Sequence, residues 1–333
     1  MHNNRYKYID ITKGILILIV IFHHISFASI EMHIEGSLTW NFKLLPLYAS
    51  WFMPAFFIVT GYCSNFDKTF KEFLISNLKT LLWPAITSFI ITAFYGIVLF
   101  HNVSTFIEAC ETIPIRGFNW FLMALFISKI LFWILRRIIS NEFALGCTII
   151  FVSIIAILFN DINLLGGNWF HHRHALYLTL FLYIGYLTKE KNLMQRKYLV
   201  IASFIFIITV FVCMKMYGVT PGIAGLWINF SVTNVPLHFV LALTGTSIII
   251  LISMIISRCR ILEQIGKDSL IYYIFHIDVI RTIIGIICQY IVTPINVISI
   301  LTADLIIIFF TVIICYIIAY TFNNTKINKL VKL

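Results

Sequence analysis

Residues 8–24 read YIDITKGILILIVIFHH, and this stretch decides the fold because it sets charged side chains inside an otherwise apolar segment, 8–30. Charged residues within a membrane span are costly and usually mark function. At about 100° per residue, Lys13 and His24 lie roughly 20° apart around a helix, and Asp10 lies roughly 40° from His24. His23 points about 100° away from this face. One stripe therefore carries an acid, a base and an imidazole, with His24 about 16 Å along the axis from Lys13.

The composition indicates that the whole chain is built for a membrane. Hydrophobic residues make up 60% of the 333 residues and charged residues 11%, whereas soluble domains carry about 25% charged residues. We therefore predict an all-α integral membrane protein. The net charge of +10 fits basic residues that collect on the cytoplasmic side of a bilayer, so we expect no nucleic-acid partner. The seven cysteines form no CxxC pair, and we expect neither a disulfide framework nor a bound metal.

Windows of about 20 apolar residues predict about ten transmembrane helices, with both the N-terminus and the C-terminus in the cytoplasm. This orientation places 17 of the 24 lysines and arginines in cytoplasmic segments, 4 in outer loops and 3 within spans. Such a bias is the one that the positive-inside rule requires. The predicted spans are 8–30, 46–66, 80–100, 119–139, 143–160, 174–188, 198–216, 236–256, 269–291 and 297–320.

The loops between these spans are short, and the longest hydrophilic stretches are the outer loops near 101–118 and 217–235. Neither is long enough to fold as a catalytic domain. We therefore expect residues 1–333 to form a single transmembrane domain, multi-pass in the cell (inner, cytoplasmic) membrane, with no separate soluble domain. The first span is too long for the apolar region of a signal peptide, and we interpret it as a retained anchor.

Helical geometry alone leaves two interpretations of Lys13 and His24 in the first span. Lys13 could extend to the interface and His24 could be a packing histidine, or the stripe could be a functional site. His276, about seven residues into the ninth span, is equally open to a helix–helix hydrogen bond or to a role in a channel. The histidine-rich tract 171–174 favours a polar outer vestibule over a metal site.

Four stretches of the chain resemble the motifs of membrane acyltransferase family 3, in the family's order. The family includes sugar O-acetylases of bacterial surface polysaccharides, such as the fucose O-acetylase-like enzymes. In the first span, Lys13, Gly14 and His24 match a base, a glycine and a histidine eleven residues after the base. The other three stretches are MPAFFIVTGY at 53–62, WFLMAL at 120–125 and IGKDSLIYYIFH at 265–276.

The chain departs from the family pattern on entry to the third span. Members often carry Arg-x-x-Arg before Leu-Leu-x-Pro at this point. Here residues 77–80 read NLKT, followed by LLWP at 81–84. Only Lys79 is basic here, so the resemblance implies that Lys79 or another cytoplasmic base holds the donor phosphate.

The resemblance implies an O-acyltransferase that moves an acyl group, acetyl being the commonest choice, from cytoplasmic acyl-CoA (acetyl-CoA) to an acceptor outside. The acceptor would be a sugar hydroxyl of a surface polysaccharide or of its lipid-linked precursor. His24 would act as the catalytic base, with Asp10 and Lys13 organising the inner mouth and His276 in the active channel. Because CoA is polyanionic, the residues expected to bind it are Lys13, Lys79, Arg136 and Arg137.

Other functions stay open on the sequence alone. The intramembrane charges could belong to a transporter or flippase for a small anion or a lipid-linked sugar, although no internal repeat supports this. The chain could also be a non-catalytic partner in a polysaccharide-export assembly. Within the enzyme interpretation, direct attack by the acceptor and a covalent acyl-histidine relay are both compatible with the residues.

Overall fold

The structure is a computed structural model that describes residues 7–31, 48, 50–100, 119–158, 171–217, 235–290 and 297–324. All regular elements in these ranges are helical, which confirms the all-α prediction. A π-helical turn, Leu78–Leu82, joins α3 to α4. The α-helices are α1 (Lys7–Glu31), α2 (Phe52–Cys63), α3 (Phe70–Asn77), α4 (Trp83–Phe100), α5 (Trp120–Ile138), α6 (Glu142–Leu158), α7 (His172–Glu190), α8 (Arg196–Tyr217), α9 (Val235–Ile256), α10 (Arg260–Lys267), α11 (Ser269–Tyr290) and α12 (Val297–Asn324).

Four segments of the described residues are long and apolar enough to cross a bilayer, namely Lys7–Ile25, Phe70–Ile90, Val235–Ile256 and Asp304–Asn324. The ten predicted spans are not established by this finding and stay a prediction. The same holds for the cytoplasmic placement of the termini, since residues 1–6 and 325–333 lie outside the described ranges. The ends of the fifth and ninth predicted spans and the outer loop 101–118 also fall outside them.

Helix α8 shows how the apolar residues are distributed. Phe204 and Phe211 are 63% and 61% exposed, and Ile207 and Ile208 beside them are similarly exposed. A row of large exposed apolar side chains is unfavourable in water and favourable against lipid tails. The exposed side chains of α8 are therefore those of a membrane protein.

The structure differs from the predicted spans at two element boundaries. The segment between the eighth and ninth spans contains the short helix α10, which the sequence analysis treated as a loop. Within the second predicted span, 46–66, helix α2 begins only at Phe52 and ends at Cys63. Short amphipathic helices are hidden from a search with a window of about 20 apolar residues.

The chain divides into two compact units. Unit 1 comprises residues 1–52, 199–222 and 240–328, and unit 2 comprises residues 53–198, 223–239 and 329–333. The prediction of a single transmembrane domain is not tested by this division.

In unit 1, helix α1 packs against α10, α11 and α12. The contact with α10 brings backbone against backbone, because a Cβ on Gly266 would overlap the carbonyl oxygen of Asp10, and one on Gly14 would overlap the carbonyl oxygen of Leu262. Residue 14 thus faces 262 and residue 10 faces 266, so α10 runs antiparallel to α1. Small residues allow such close approach of membrane helices.

Helix α11 follows α10 after Asp268 and runs parallel to α1, while α12 returns antiparallel to α11. The Asn323 side-chain amide donates to the Asp268 carboxylate at 3.0 Å, and the rings of Phe322 and Phe275 lie 5.7 Å apart. These contacts fix the start of α11 against the end of α12.

In unit 2, helices α2 and α7 also come into close backbone contact at glycines. A Cβ on Gly61 of α2 would overlap the carbonyl oxygen of Leu182, and one on Gly185 of α7 would overlap that of Ile58. Helix α7 also packs against α5 and α6, where the Ser128 hydroxyl donates to the Ala175 carbonyl oxygen at 2.8 Å.

Replacing Gly266 by alanine tests the contact between α1 and α10. The added methyl group would meet backbone atoms of Asp10 and Gly14 that cannot rotate away. We expect a loss of about 1–3 kcal/mol of stability, measured as a lower midpoint of thermal unfolding in detergent. Gly146→Ala is the matched control, because its nearest neighbour is a side-chain atom, the Tyr183 hydroxyl at 3.0 Å, and not backbone. Equal midpoints for the two variants would contradict the backbone contact.

Candidate active site

Two histidines that are 252 residues apart in sequence meet in unit 1. The His276 Nε2 atom lies 3.3 Å from the His24 Nδ1 atom. The ring centroids are 4.8 Å apart and the ring planes cross at 77°. His276 is buried and His24 is half-buried. The structure therefore brings together two of the four residues that were predicted to be catalytic.

Contacts with backbone carbonyl groups show which nitrogen of each ring carries a hydrogen. His24 Nδ1 lies 2.8 Å from the carbonyl oxygen of Val20, and His276 Nδ1 lies 2.9 Å from that of Tyr273 and 3.1 Å from that of Tyr272. A carbonyl oxygen can only accept, so each Nδ1 carries a hydrogen. In the neutral rings the lone pair then resides on Nε2.

This assignment sets the direction of the hydrogen bond between the two histidines, with His24 as donor and His276 as acceptor. The His24 Nδ1–H group is shared between the Val20 carbonyl oxygen and the Nε2 lone pair of His276. The basic atom of His24 is consequently Nε2. A proton taken up at this atom would leave a positive ring whose Nδ1–H bonds become stronger, because hydrogen bonds from charged donors are shorter and stronger.

The other two predicted catalytic residues lie at the crossing of α1 and α10. Asp10 is buried there, with its carbonyl oxygen against Gly266, and Lys13 is half-buried beside Gly14. His24 is eleven residues further along α1, about 16 Å from Lys13 along the axis. The structure thus places Asp10 and Lys13 at one level of α1 and the histidine pair at another.

Sequence analysis missed a second polar pair in unit 1. The buried His23 ring stands perpendicular to the His24 ring, with centroids 5.2 Å apart. The Tyr48 hydroxyl lies 3.4 Å from His23 Nδ1. The only sequence signal was the His-His dipeptide, which helical geometry set on a different face from the Asp10–Lys13–His24 stripe.

Arg136 and Arg137, predicted to bind the donor, line a cavity of about 260 Å³ in unit 2. Arg136 pairs with Asp67 at 2.8 Å and lies over the Tyr186 ring at 5.0 Å. Arg137 donates to the carbonyl oxygen of Asp67 at 3.0 Å. Lys79 is exposed on the π-helical turn and is not among the residues that line this cavity.

A second ion pair lies at the same cavity. Lys191 Nζ is 2.7 Å from a carboxylate oxygen of Glu142, which lines the cavity. The hydrogen bond to Glu142 raises the pKa of Lys191 above its usual value. The cavity therefore carries guanidinium groups and carboxylates, and the Lys191 ammonium group is bonded to one of these carboxylates.

The histidines of the predicted outer vestibule also lie close together, with the rings of His171 and His174 5.5 Å apart. Within the described ranges, no group of three or more histidine, cysteine, aspartate or glutamate side chains could hold a metal ion.

Comparison with known proteins identifies the family of the chain. The sequence model of the acyltransferase 3 family, described as an acyltransferase domain, matches residues 6–320. No curated protein and no solved structure matches the chain. The match covers nearly the whole chain, and it confirms the resemblance drawn from the four motifs. The protein belongs to the acyltransferase 3 family and is a membrane acyltransferase.

Proposed function

We propose that the protein transfers an acyl group, acetyl in the first instance, from cytoplasmic acyl-CoA to a sugar hydroxyl. The acceptor is a surface polysaccharide or its lipid-linked precursor, and the enzyme works in the cell membrane. The observation that carries this proposal is the contact of His24 with His276, in which both Nδ1 atoms are held by carbonyl groups. It leaves His24 with a defined basic nitrogen, Nε2.

In the proposed reaction, His24 Nε2 takes the proton of the acceptor hydroxyl as its oxygen attacks the thioester carbon. The new C–O bond forms, the C–S bond breaks, and the thiolate of CoA takes the proton back from His24. General base catalysis of this kind contributes about 10²–10⁴-fold to a rate. Histidine is the side chain that most often serves as a general base.

His276 is the positioning partner in this scheme. Its Nε2 lone pair faces the Nδ1–H group of His24 at 3.3 Å. Once His24 has taken the proton, the same contact becomes a hydrogen bond from a positive ring, and such bonds are worth about 1.5–3 kcal/mol. The partner therefore stabilises the state that forms during attack.

Basic residues are proposed to bind the acyl donor. Lys13 is the candidate on α1, beside Asp10, and Lys79 is the basic residue left where the family often has two arginines. Arg136 and Arg137 offer a further site, because the cavity that they line has room for part of a polyanionic donor. Arginine binds phosphate with two parallel hydrogen bonds.

Substituting His24 by alanine tests the assignment of the base. We expect acyl transfer to fall by about 10²–10⁴-fold, measured as the extra mass of one acyl group on surface glycans and as thiol release from labelled acetyl-CoA. Export of the glycan should be unchanged, which a transporter or assembly role would not allow. Unchanged acylation in this variant would contradict the mechanism.

The same labelled donor separates direct transfer from a relay. Without acceptor, base catalysis leaves the protein unlabelled, whereas an acyl-histidine intermediate would leave label on the chain. We expect no stable label.

Substitutions of His276 test the positioning role. We expect His276→Ala to lower kcat by about 10- to 150-fold with little change in the KM for acetyl-CoA. His276→Gln should recover part of the loss, because its side-chain carbonyl can accept from His24 Nδ1–H. Equal losses in both variants would mean that His276 serves packing alone.

Substituting Arg136 by glutamine tests the donor site. We expect the KM for acetyl-CoA to rise about two- to fivefold, the effect of one partly exposed charge, with kcat nearly unchanged. Lys197→Gln is the control, because Lys197 lies over the Tyr198 ring and does not line the cavity. A KM equal to that of the control would remove the cavity from the donor site.

A further inference from the structure

A buried polar pair, His23 and Tyr48, lies beside His24 in unit 1. Tyr48 and His23 are 8% and 4% exposed, and the Tyr48 hydroxyl lies 3.4 Å from His23 Nδ1. The neighbouring buried positions on α1, Val20, Ile21 and Ile25, are apolar. A phenol and an imidazole are costly in such surroundings unless they are hydrogen-bonded, and polar side chains inside a membrane protein often mark a functional site.

Aromatic rings hold this pair in place. The Phe52 ring lies 5.3 Å from the His23 ring and 5.9 Å from the Tyr48 ring. The Phe22 ring packs edge-on against Tyr48 at 5.9 Å. The hydroxyl and the imidazole are therefore held at a set position relative to the proposed base.

The pair is continuous with the proposed base. The His23 and His24 rings meet at 89° with centroids 5.2 Å apart, and His24 contacts His276 on its other side. A chain of polar groups thus runs from Tyr48 to His276. In the proposed topology, these residues lie toward the outer end of α1, where a surface glycan would arrive.

The chemistry of the pair matches a sugar hydroxyl. A tyrosine hydroxyl both donates and accepts, and a neutral histidine offers one donor and one acceptor. A sugar hydroxyl also needs one hydrogen-bond donor and one acceptor as partners. Sugars carry hydroxyls on neighbouring carbons, so a second hydroxyl lies close to the one that reacts.

We propose that His23 and Tyr48 bind the acceptor hydroxyl next to the one that is acylated, and so select the position of acylation. This inference rests on the proposed function, because it needs His24 as the base for the reacting hydroxyl. It assigns the acceptor as a saccharide with hydroxyls on neighbouring carbons. The pair recognises the acceptor and takes no part in donor binding.

The test uses the full chain in membranes of cells that carry the surface glycan, with labelled acetyl-CoA as donor. Two quantities are measured, the ratio of acylated glycan to free acetate and the distribution of acyl groups over the sugar hydroxyls. In Tyr48→Phe we expect the ratio to fall about three- to tenfold, as for the loss of one hydrogen bond, and acyl groups to spread to other positions. His23→Asn, which keeps hydrogen-bonding capacity near Tyr48, should change the distribution in the same direction.

The control is Tyr316→Phe, since Tyr316 is an exposed residue of unit 1 that stacks on Tyr320. This variant should keep the ratio of acylated glycan to free acetate, and the single acylated hydroxyl position, of the unaltered protein. If Tyr48→Phe and His23→Asn lower only the total yield, with ratio and position as in this control, the pair is structural and the inference is overturned. If the unaltered protein acylates no glycan, the proposed function itself fails, which is seen before any variant is compared.

Discussion

The backbone contact between α1 and α10 is the constraint on which the candidate site depends. At this crossing Gly14 lies against Leu262 and Gly266 against Asp10, so neither glycine can carry a side chain without a collision with the facing backbone. Helix α11 begins directly after α10 and runs beside α1. His24 and His276 each lie ten residues beyond the glycine of their own segment. Locking the glycines together therefore sets the register in which the two imidazoles meet.

Backbone carbonyl groups also fix the tautomers of the two histidines. A neutral histidine has two tautomers, and a base is useful only if its lone pair resides on the correct atom. The carbonyl of Val20, one turn before His24, and those of Tyr272 and Tyr273 accept the Nδ1 hydrogens. These groups belong to the helices themselves, so the tautomer is fixed without a buried charge. This differs from sites in which a carboxylate holds the ring.

The sequence allowed the membrane class, the helical fold and the family to be predicted, because these depend on composition and on motifs that are local in the chain. The pairing of His24 with His276 could not be derived from helical geometry, since it depends on how α10 packs. His23 was set aside because its face differs from that of His24, yet perpendicular rings on adjacent residues still meet. Its partner Tyr48 lies 25 residues away, a separation at which no spacing rule applies.

The proposed donor site would allow this chain to bind an acyl donor without the two arginines that family members often carry before α4. Arg136 already has a counterion, but Asp67 is 78% exposed and the guanidinium 26% exposed, and exposed ion pairs are worth little. A phosphate that replaced the Asp67 carboxylate would therefore lose little and gain a bidentate partner. The Tyr186 ring, 5.0 Å from the guanidinium, would hold Arg136 in place during such an exchange. Arginines at the end of α5 could in this way stand in for the two that are missing before α4.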